Sequence, residues 1–69
     1  MMRLEELKSN WWTRLDELVE EIEEMGYEVL EQNREYIVCC DEEDGSDEQY
    51  QIRLGGTERT IIVEEIEEI

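Results

Sequence analysis

The chain has 69 residues, which limits it to a single domain over residues 1–69, and a core of that size rarely supplies more than about 3–5 kcal/mol of stability. Its 22 acidic residues outnumber 6 basic ones, and the net charge of −16 disfavours direct binding to nucleic acids and to anionic membranes. The chain contains no histidine, which excludes histidine-dependent nucleophiles and zinc sites built on imidazole.

The first predicted element is an amphipathic helix over residues 10–25. Apolar residues recur there at steps of three and four, which places them on one face of a helix. They are Trp11, Leu15, Leu18, Ile22 and Met25. Leu4 and Leu7 continue this spacing towards the N-terminus, so we expect one continuous helix from about Arg3. The alternative is a short first turn that leads into the main helix near residue 10.

Both ends of this helix carry sequence signals. Ser9 and Asn10 are candidates for the N-cap, and Thr13 with Asp16 offers a weaker capping box one turn later. Gly26 follows the last apolar residue, where a left-handed C-terminal cap is expected.

Two adjacent tryptophans lie within the predicted helix, about 100° apart around its axis. Trp11 belongs to the apolar stripe, and Trp12 aligns with the edge of that stripe. Two roles remain open for Trp12. It is either part of a wide buried face or an exposed anchor in a homodimer or a complex, because aromatic side chains are frequent at binding hot spots.

After Gly26 the apolar pattern changes to a period of two, which is typical of strands. Residues 27–32 predict a first strand, and the apolar run within 35–40 predicts a strand in the sheet interior. Beyond an acidic loop over residues 41–48, the alternation at 49–54 predicts a half-buried strand. Gly55, Gly56 and Thr57 predict a turn, and residues 59–63 begin a fourth strand.

The last residues, 64–69, fit either a helical turn or a longer strand. We favour the helical interpretation because it groups Ile62, Ile66 and Ile69 on one face. The predicted fold is α+β: an N-terminal amphipathic helix packed on a three- or four-stranded antiparallel meander, with a short helical turn at the C-terminus. One face of such a sheet stays open to water or to a partner.

Cys39 and Cys40 are adjacent, so in a strand they point to opposite faces and cannot form a disulfide with each other. Free thiols, no signal peptide and no membrane-spanning run predict a cytoplasmic protein, located in the host cytoplasm if it is viral. We expect no enzyme activity, cofactor or bound metal. A chain this short encloses little pocket, and its acidic loop does not match the EF-hand pattern.

The predicted functional feature is the acidic surface. Like charges four residues apart destabilise a helix by about 0.2–0.5 kcal/mol per pair, so stability alone does not explain the outward glutamates of the predicted helix. The residues predicted to bind a partner are Asp16, Glu17, Glu20, Glu21 and Glu24 of the helix, Asp41, Glu42, Glu43, Asp44, Asp47 and Glu48 of the loop, and Trp12.

The charge is of the size needed to imitate a short nucleic acid. A helix from Leu4 to Met25 would be about 33 Å long, and duplex DNA of that length carries about 19 charges. The net charge of the chain is −16. We therefore expect a basic nucleic-acid-binding protein or complex as the partner, and neither nucleic acid nor a membrane. The sequence leaves open whether the protein forms a homodimer.

In size, charge and layout over the whole chain, the sequence resembles small acidic inhibitors encoded by phages and mobile elements, the anti-CRISPR and anti-restriction proteins. The acidic segments 17–24, 41–48 and 64–68 carry this resemblance, without a shared motif. It implies an inhibitor that occupies the basic nucleic-acid channel of a CRISPR effector or restriction enzyme. The alternative is a small haloadapted or regulatory protein-interaction module with no inhibitory role.

Overall fold

The computed structural model describes residues 4–41 and 48–69 of the chain. The elements are a 3-10 helix (Leu4–Ser9), β1 (Trp11–Trp12), α1 (Leu15–Glu24), β2 (Tyr27–Gln32), β3 (Tyr36–Asp41), β4 (Gln49–Gly56) and β5 (Ile61–Glu68). The five strands form one antiparallel sheet in the order β1-β5-β4-β3-β2. The α+β class and the meander from β2 to β5 are confirmed, but the sheet has five strands rather than three or four.

The prediction of one continuous helix from the N-terminus is wrong. Trp11 and Trp12 form a strand instead, because they pair with Ile62 and Ile61 of β5. Adjacent side chains on a strand point to opposite faces. Trp12 therefore enters the core with 9% exposure, whereas Trp11 is 65% exposed and does not belong to the buried stripe.

The helix α1 begins later than the predicted caps require. Arg14 occupies its N-cap position in an extended conformation and makes no side-chain hydrogen bond there, so neither predicted N-cap is formed. The C-terminal end is as predicted. Gly26 has a φ of 95°, and its N–H donates to the carbonyl oxygen of Glu23 at 3.1 Å. Such a positive φ favours glycine, which has no Cβ.

The core lies between α1 and one face of the sheet. Its fully buried side chains are Leu18 and Ile22 of α1, Ile37 and Cys39 of β3, and Ile52 of β4. Leu4 and Leu7 of the 3-10 helix are also buried. No polar or charged side chain is buried within residues 4–41 and 48–69. Apolar burial is therefore the main contribution that side chains make to the stability of this fold.

The end of the chain is a strand, and the predicted helical turn over residues 64–69 is wrong. β5 pairs with β4 along almost its whole length, from Gly56 opposite Ile61 to Tyr50 opposite Glu68. The register shifts between Arg53 and Leu54, which leaves Glu64 as an extra residue in β5. Such a bulge bends and twists the strand, so it contributes to the curl of the sheet.

Gly55 and Gly56 belong to β4, and the β4–β5 turn lies further on, at residues 57–60. Gly56 has a φ of 100°, and a Cβ at this position would overlap the carbonyl oxygen of Thr60. The turn between β2 and β3 lies at residues 33–35. There the side chain of Asn33 accepts hydrogen bonds from the N–H groups of Glu35 and Tyr36, at 2.8 and 2.9 Å.

Candidate protein-binding surface

The carboxylates lie at the surface with little compensation. Sixteen of the eighteen acidic residues that the structure describes are exposed, and Glu21 and Asp41 are half-buried. Two ion pairs occur among these described residues, Arg14 with Asp16 at 3.5 Å and Arg53 with Glu65 at 3.9 Å. Both pairs are exposed to water, where such contacts contribute little. The net charge is therefore presented outward as a negative field.

The first acidic surface is the helix face, which we define as the outward residues Asp16, Glu17, Glu20, Glu21 and Glu24 of α1. Four of them, with Trp12, line a shallow groove of about 240 Å³. The structure thus brings together five of the predicted binding residues, namely Trp12, Glu17, Glu20, Glu21 and Glu24. Trp12 is mostly buried, so it forms part of the groove wall and does not project as an anchor.

The sheet register creates a second acidic surface, and only some of its residues were among the predicted binding residues. α1 ends just before Tyr27, Tyr27 pairs with Asp41, and Tyr50 pairs with Glu68. The N–H of Ile69 also donates to the carbonyl oxygen of Gln49 at 2.8 Å. These contacts place three acidic segments at one end of the molecule. We call this the acidic end: Glu23, Glu24, Asp41, Glu48, Glu67 and Glu68.

Glu23, Glu67 and Glu68 are missing from the predicted binding residues, although the tail formed part of the resemblance. The signal that could have placed the tail was the β-branched run Ile61, Ile62 and Val63, but the bulge at Glu64 breaks the alternation after it, so the helical interpretation looked better. The predicted loop residues Glu42, Glu43, Asp44 and Asp47 lie outside the described residues. Asp41 and Glu48, which flank that loop, both belong to the acidic end.

The tyrosines near the acidic end respond to its charge. The rings of Tyr27 and Tyr50 meet edge to face, with centroids 6.1 Å apart. Partial burial, followed by the nearby charge of Asp41, raises the pKa of Tyr27. The hydroxyl of Tyr50 donates to Glu48 at 3.2 Å, and this hydrogen bond is the main cause of its raised pKa. Both phenols therefore stay neutral beside the carboxylates.

Arginines and carboxylates are mixed around the β4–β5 turn, at the opposite end of the sheet from the acidic end. Arg34 and Arg53 line an open cleft of about 650 Å³ there together with Glu35 and Glu58, and Arg59 belongs to the turn itself. The arginines therefore weaken the negative field at this end of the sheet.

The described residues offer no alternative site for a metal ion, because no three acidic or thiol side chains among residues 4–41 and 48–69 converge as ligands. Cys39 is buried and Cys40 is half-buried, and neither forms a disulfide. Within the same residues, no helix has the length and apolar character needed to cross a membrane.

Comparisons with known proteins leave the site to be interpreted from its geometry alone. No family model, curated protein or solved structure matches the sequence.

Proposed function

We propose that this protein binds the cationic, nucleic-acid-binding surface of another protein and blocks it by presenting carboxylates in place of phosphates. The helix face and the acidic end form the contact surface. The target class is a host defence complex, either a CRISPR effector or a restriction enzyme, and the protein acts as an inhibitor without catalytic activity. The main support for this proposal is that nearly all of the described carboxylates are exposed on the surface of one small folded domain.

The dimensions support imitation by the whole molecule rather than by the helix alone. α1 has 10 residues and is about 15 Å long, which corresponds to about 9 duplex charges, whereas α1 supplies six carboxylates. The long axis of the molecule measures 35 Å. Duplex DNA of that length carries about 20 charges, close to the net −16 of the chain. The sheet carboxylates are therefore needed to complete the match.

The helix face also has the local chemistry that lysine and arginine require. Its carboxylates are carried by one folded helix, so the backbone is ordered before the partner arrives and binding has to fix only the side-chain rotamers. Complementary charge accelerates association and makes the affinity fall as salt rises. This mechanism also accounts for like-charge neighbours such as Glu20 and Glu24, which repel each other, with Glu24 in the last turn of α1 where the helix dipole disfavours an anion.

Competition with nucleic acid tests the proposal. The tagged protein is used to capture partners from cell extract at about 0.1 M and about 0.5 M salt, because exposed charge contacts are strongly screened between these two concentrations. The captured complex is then purified and titrated with its own nucleic acid in the presence of this protein. We expect a complex that is released at high salt and that binds either the protein or the nucleic acid, but not both together.

Two results would overturn the proposal. One is a folded bait that captures no nucleic-acid-binding complex, and the other is a ternary complex that holds protein and nucleic acid simultaneously. Circular dichroism at the same two salt concentrations distinguishes the proposed inhibitor from a haloadapted domain. A haloadapted domain unfolds in dilute buffer, whereas the proposed inhibitor is folded at about 0.1 M salt and gains only modest stability as its self-repulsion is screened.

A further inference from the structure

An exposed apolar pair lies on the sheet face opposite α1, which we call the outer face. Trp11 of β1 is paired directly with Ile62 of β5, so their side chains lie next to each other on the same face. Trp11 is 65% exposed and Ile62 is 37% exposed. A tryptophan that remains this exposed contributes almost nothing to the core, and aromatic side chains are frequent at binding hot spots.

Carboxylates border this apolar pair. Gly55 lies opposite Ile62 on β4, and the side chain of Glu64 lies across it, with Oε1 2.6 Å from the position that a Cβ on Gly55 would take. The absence of a side chain on Gly55 is thus what allows the Glu64 carboxylate to sit beside Ile62. Further along β5, Glu65 and Glu67 face Arg53 and Gln51 of β4. Arg53 forms an ion pair with Glu65 at 3.9 Å, so Glu64 and Glu67 are the carboxylates of β5 on this face that no arginine among the described residues pairs with.

The carboxylates near the Trp11–Ile62 pair indicate which kind of partner binds there. A second copy would bring another net charge of −16 onto the same acidic border, and two side chains supply far less than the roughly 800 Å² per partner that a stable interface buries. A basic segment with an apolar side chain fits instead. Its lysines or arginines would meet Glu64 and Glu67, while its apolar group would cover Trp11 and Ile62.

We propose that the Trp11–Ile62 pair docks an apolar side chain of a basic partner segment, flanked by lysines or arginines that bind the neighbouring carboxylates of β5. This inference rests on the proposed function and specifies its partner. A channel that encloses a nucleic acid contacts its guest on more than one side, so the helix face and the outer face are engaged together. The apolar contact adds affinity that salt does not screen.

Two synthetic peptides, the eight-residue (Lys-Leu)4 and (Lys-Ser)4, test this inference because they carry equal charge but differ in apolar side chains. Affinity is measured by fluorescence anisotropy of dye-labelled peptide. We expect (Lys-Leu)4 to bind about tenfold more tightly than (Lys-Ser)4, a difference of about 1.4 kcal/mol, because partial burial of one leucine side chain is enough to supply it. Trp11→Ser and, separately, Ile62→Thr should abolish that preference.

Leu30→Ser is the matched control, because Leu30 is 48% exposed on β2, at the opposite edge of the sheet. It should keep the preference. Salt titration adds a second readout. Trp11→Ser should leave the slope of log Kd against log salt unchanged, whereas a Glu64→Gln, Glu67→Gln double variant should make that slope shallower.

The possible failures are distinguishable. Equal, salt-dependent binding of both peptides by the unmodified protein overturns the apolar docking site and leaves the proposed function standing. Binding of neither peptide overturns both. Tryptophan emission that shifts to the blue with protein concentration alone identifies a second copy as the occupant and overturns the inference. If Leu30→Ser loses the preference for (Lys-Leu)4 as Trp11→Ser does, the preference does not depend on the Trp11–Ile62 pair, and the inference is overturned.

Discussion

Arg34 donates a hydrogen bond of 2.7 Å from Nη2 to the carbonyl oxygen of Thr57, which joins the β2–β3 turn to the β4–β5 turn. The same nitrogen lies 3.1 Å from the carbonyl oxygen of Gly55 and 3.3 Å from that of Thr60. A single guanidinium therefore serves three backbone acceptors, one at the end of β4 and two in the β4–β5 turn. Hydrogen bonds to charged groups are among the stronger ones in proteins, even when water competes for them.

Replacement of this arginine should loosen the β4–β5 turn. We expect Arg34→Ala to lower the free energy of unfolding by about 1 kcal/mol, as measured by urea denaturation. Arg59→Ala is the matched control, because it removes the same charge from the β4–β5 turn itself, where the Arg59 side chain makes no hydrogen bond to a described residue. Equal losses in the two variants would show that net charge, and not the hydrogen bonds, is responsible.

The neighbouring tryptophans should differ sharply in their effect on stability. Trp12→Ala removes a large buried side chain and should cost about 3–5 kcal/mol, which is enough to unfold a domain of this size. Trp11→Ala changes an exposed side chain and should stay within about 0.5 kcal/mol of the unmodified protein. Thermal denaturation followed by circular dichroism checks both. A folded Trp12→Ala alongside an unfolded Trp11→Ala would contradict the strand assignment of this pair.

The carboxylates of the helix face should increase the affinity for the partner but should not increase the stability of the fold. The triple change Glu17→Gln, Glu20→Gln, Glu24→Gln removes three like-charge pairs four residues apart (16/20, 17/21 and 20/24), each worth about 0.2–0.5 kcal/mol. It also removes an anion from the last turn of α1, where the helix dipole disfavours it. We therefore expect unchanged or higher thermal stability together with weaker binding to the captured partner, measured by surface plasmon resonance.

A second triple change tests whether the location of the removed carboxylates matters or only the loss of three negative charges. Glu5→Gln, Glu35→Gln and Glu58→Gln remove three exposed carboxylates that lie outside the helix face, the acidic end and the outer face. This control should bind the partner more tightly than the helix-face variant does. Equal weakening by both triple changes would mean that the total charge matters and that the helix face is not a specific contact.

The buried thiol of Cys39 should make stability depend on alkaline pH. Burial, with a smaller contribution from Cys40, raises the pKa of Cys39 from 9.0 to about 12. The neutral thiol is thus favoured in the folded state, and this contribution is complete below pH 9.0 and is lost as the pH rises towards about 12. We expect the free energy of unfolding to fall by about 1 kcal/mol between about pH 8 and about pH 10.

Urea denaturation of the unmodified protein and of Cys39→Ala at both pH values checks this expectation. The alanine variant should be less stable at either pH, since it leaves a cavity, but its stability should change less with pH. A pH dependence as steep as that of the unmodified protein would assign the effect to other groups. Tyr27, Tyr36 and Tyr50, whose pKa values are also raised, are the candidates.

Local patterns predicted the middle of the chain well. The helical spacing of Leu18 and Ile22, the cap at Gly26 and the alternation around Ile52 depend on neighbours within a few residues, and the structure confirms each of them. The N-terminal and C-terminal segments were predicted less well. Trp11 and Trp12 fit a helical period, and so did Ile62, Ile66 and Ile69, yet both segments are strands.

By itself the sequence determined the α+β class, the helical core stripe, the strands from β2 to β4 and a net charge of −16, because composition and short-range periodicity carry that information. Only the tertiary structure decided that Trp11–Trp12 pairs with β5, that Trp11 is exposed, and that Glu67 and Glu68 join Asp41 at the acidic end. The physical reason is that strand pairing joins segments some fifty residues apart in the chain, as between Trp11 and Ile62, and its hydrogen bonds override weak local preferences.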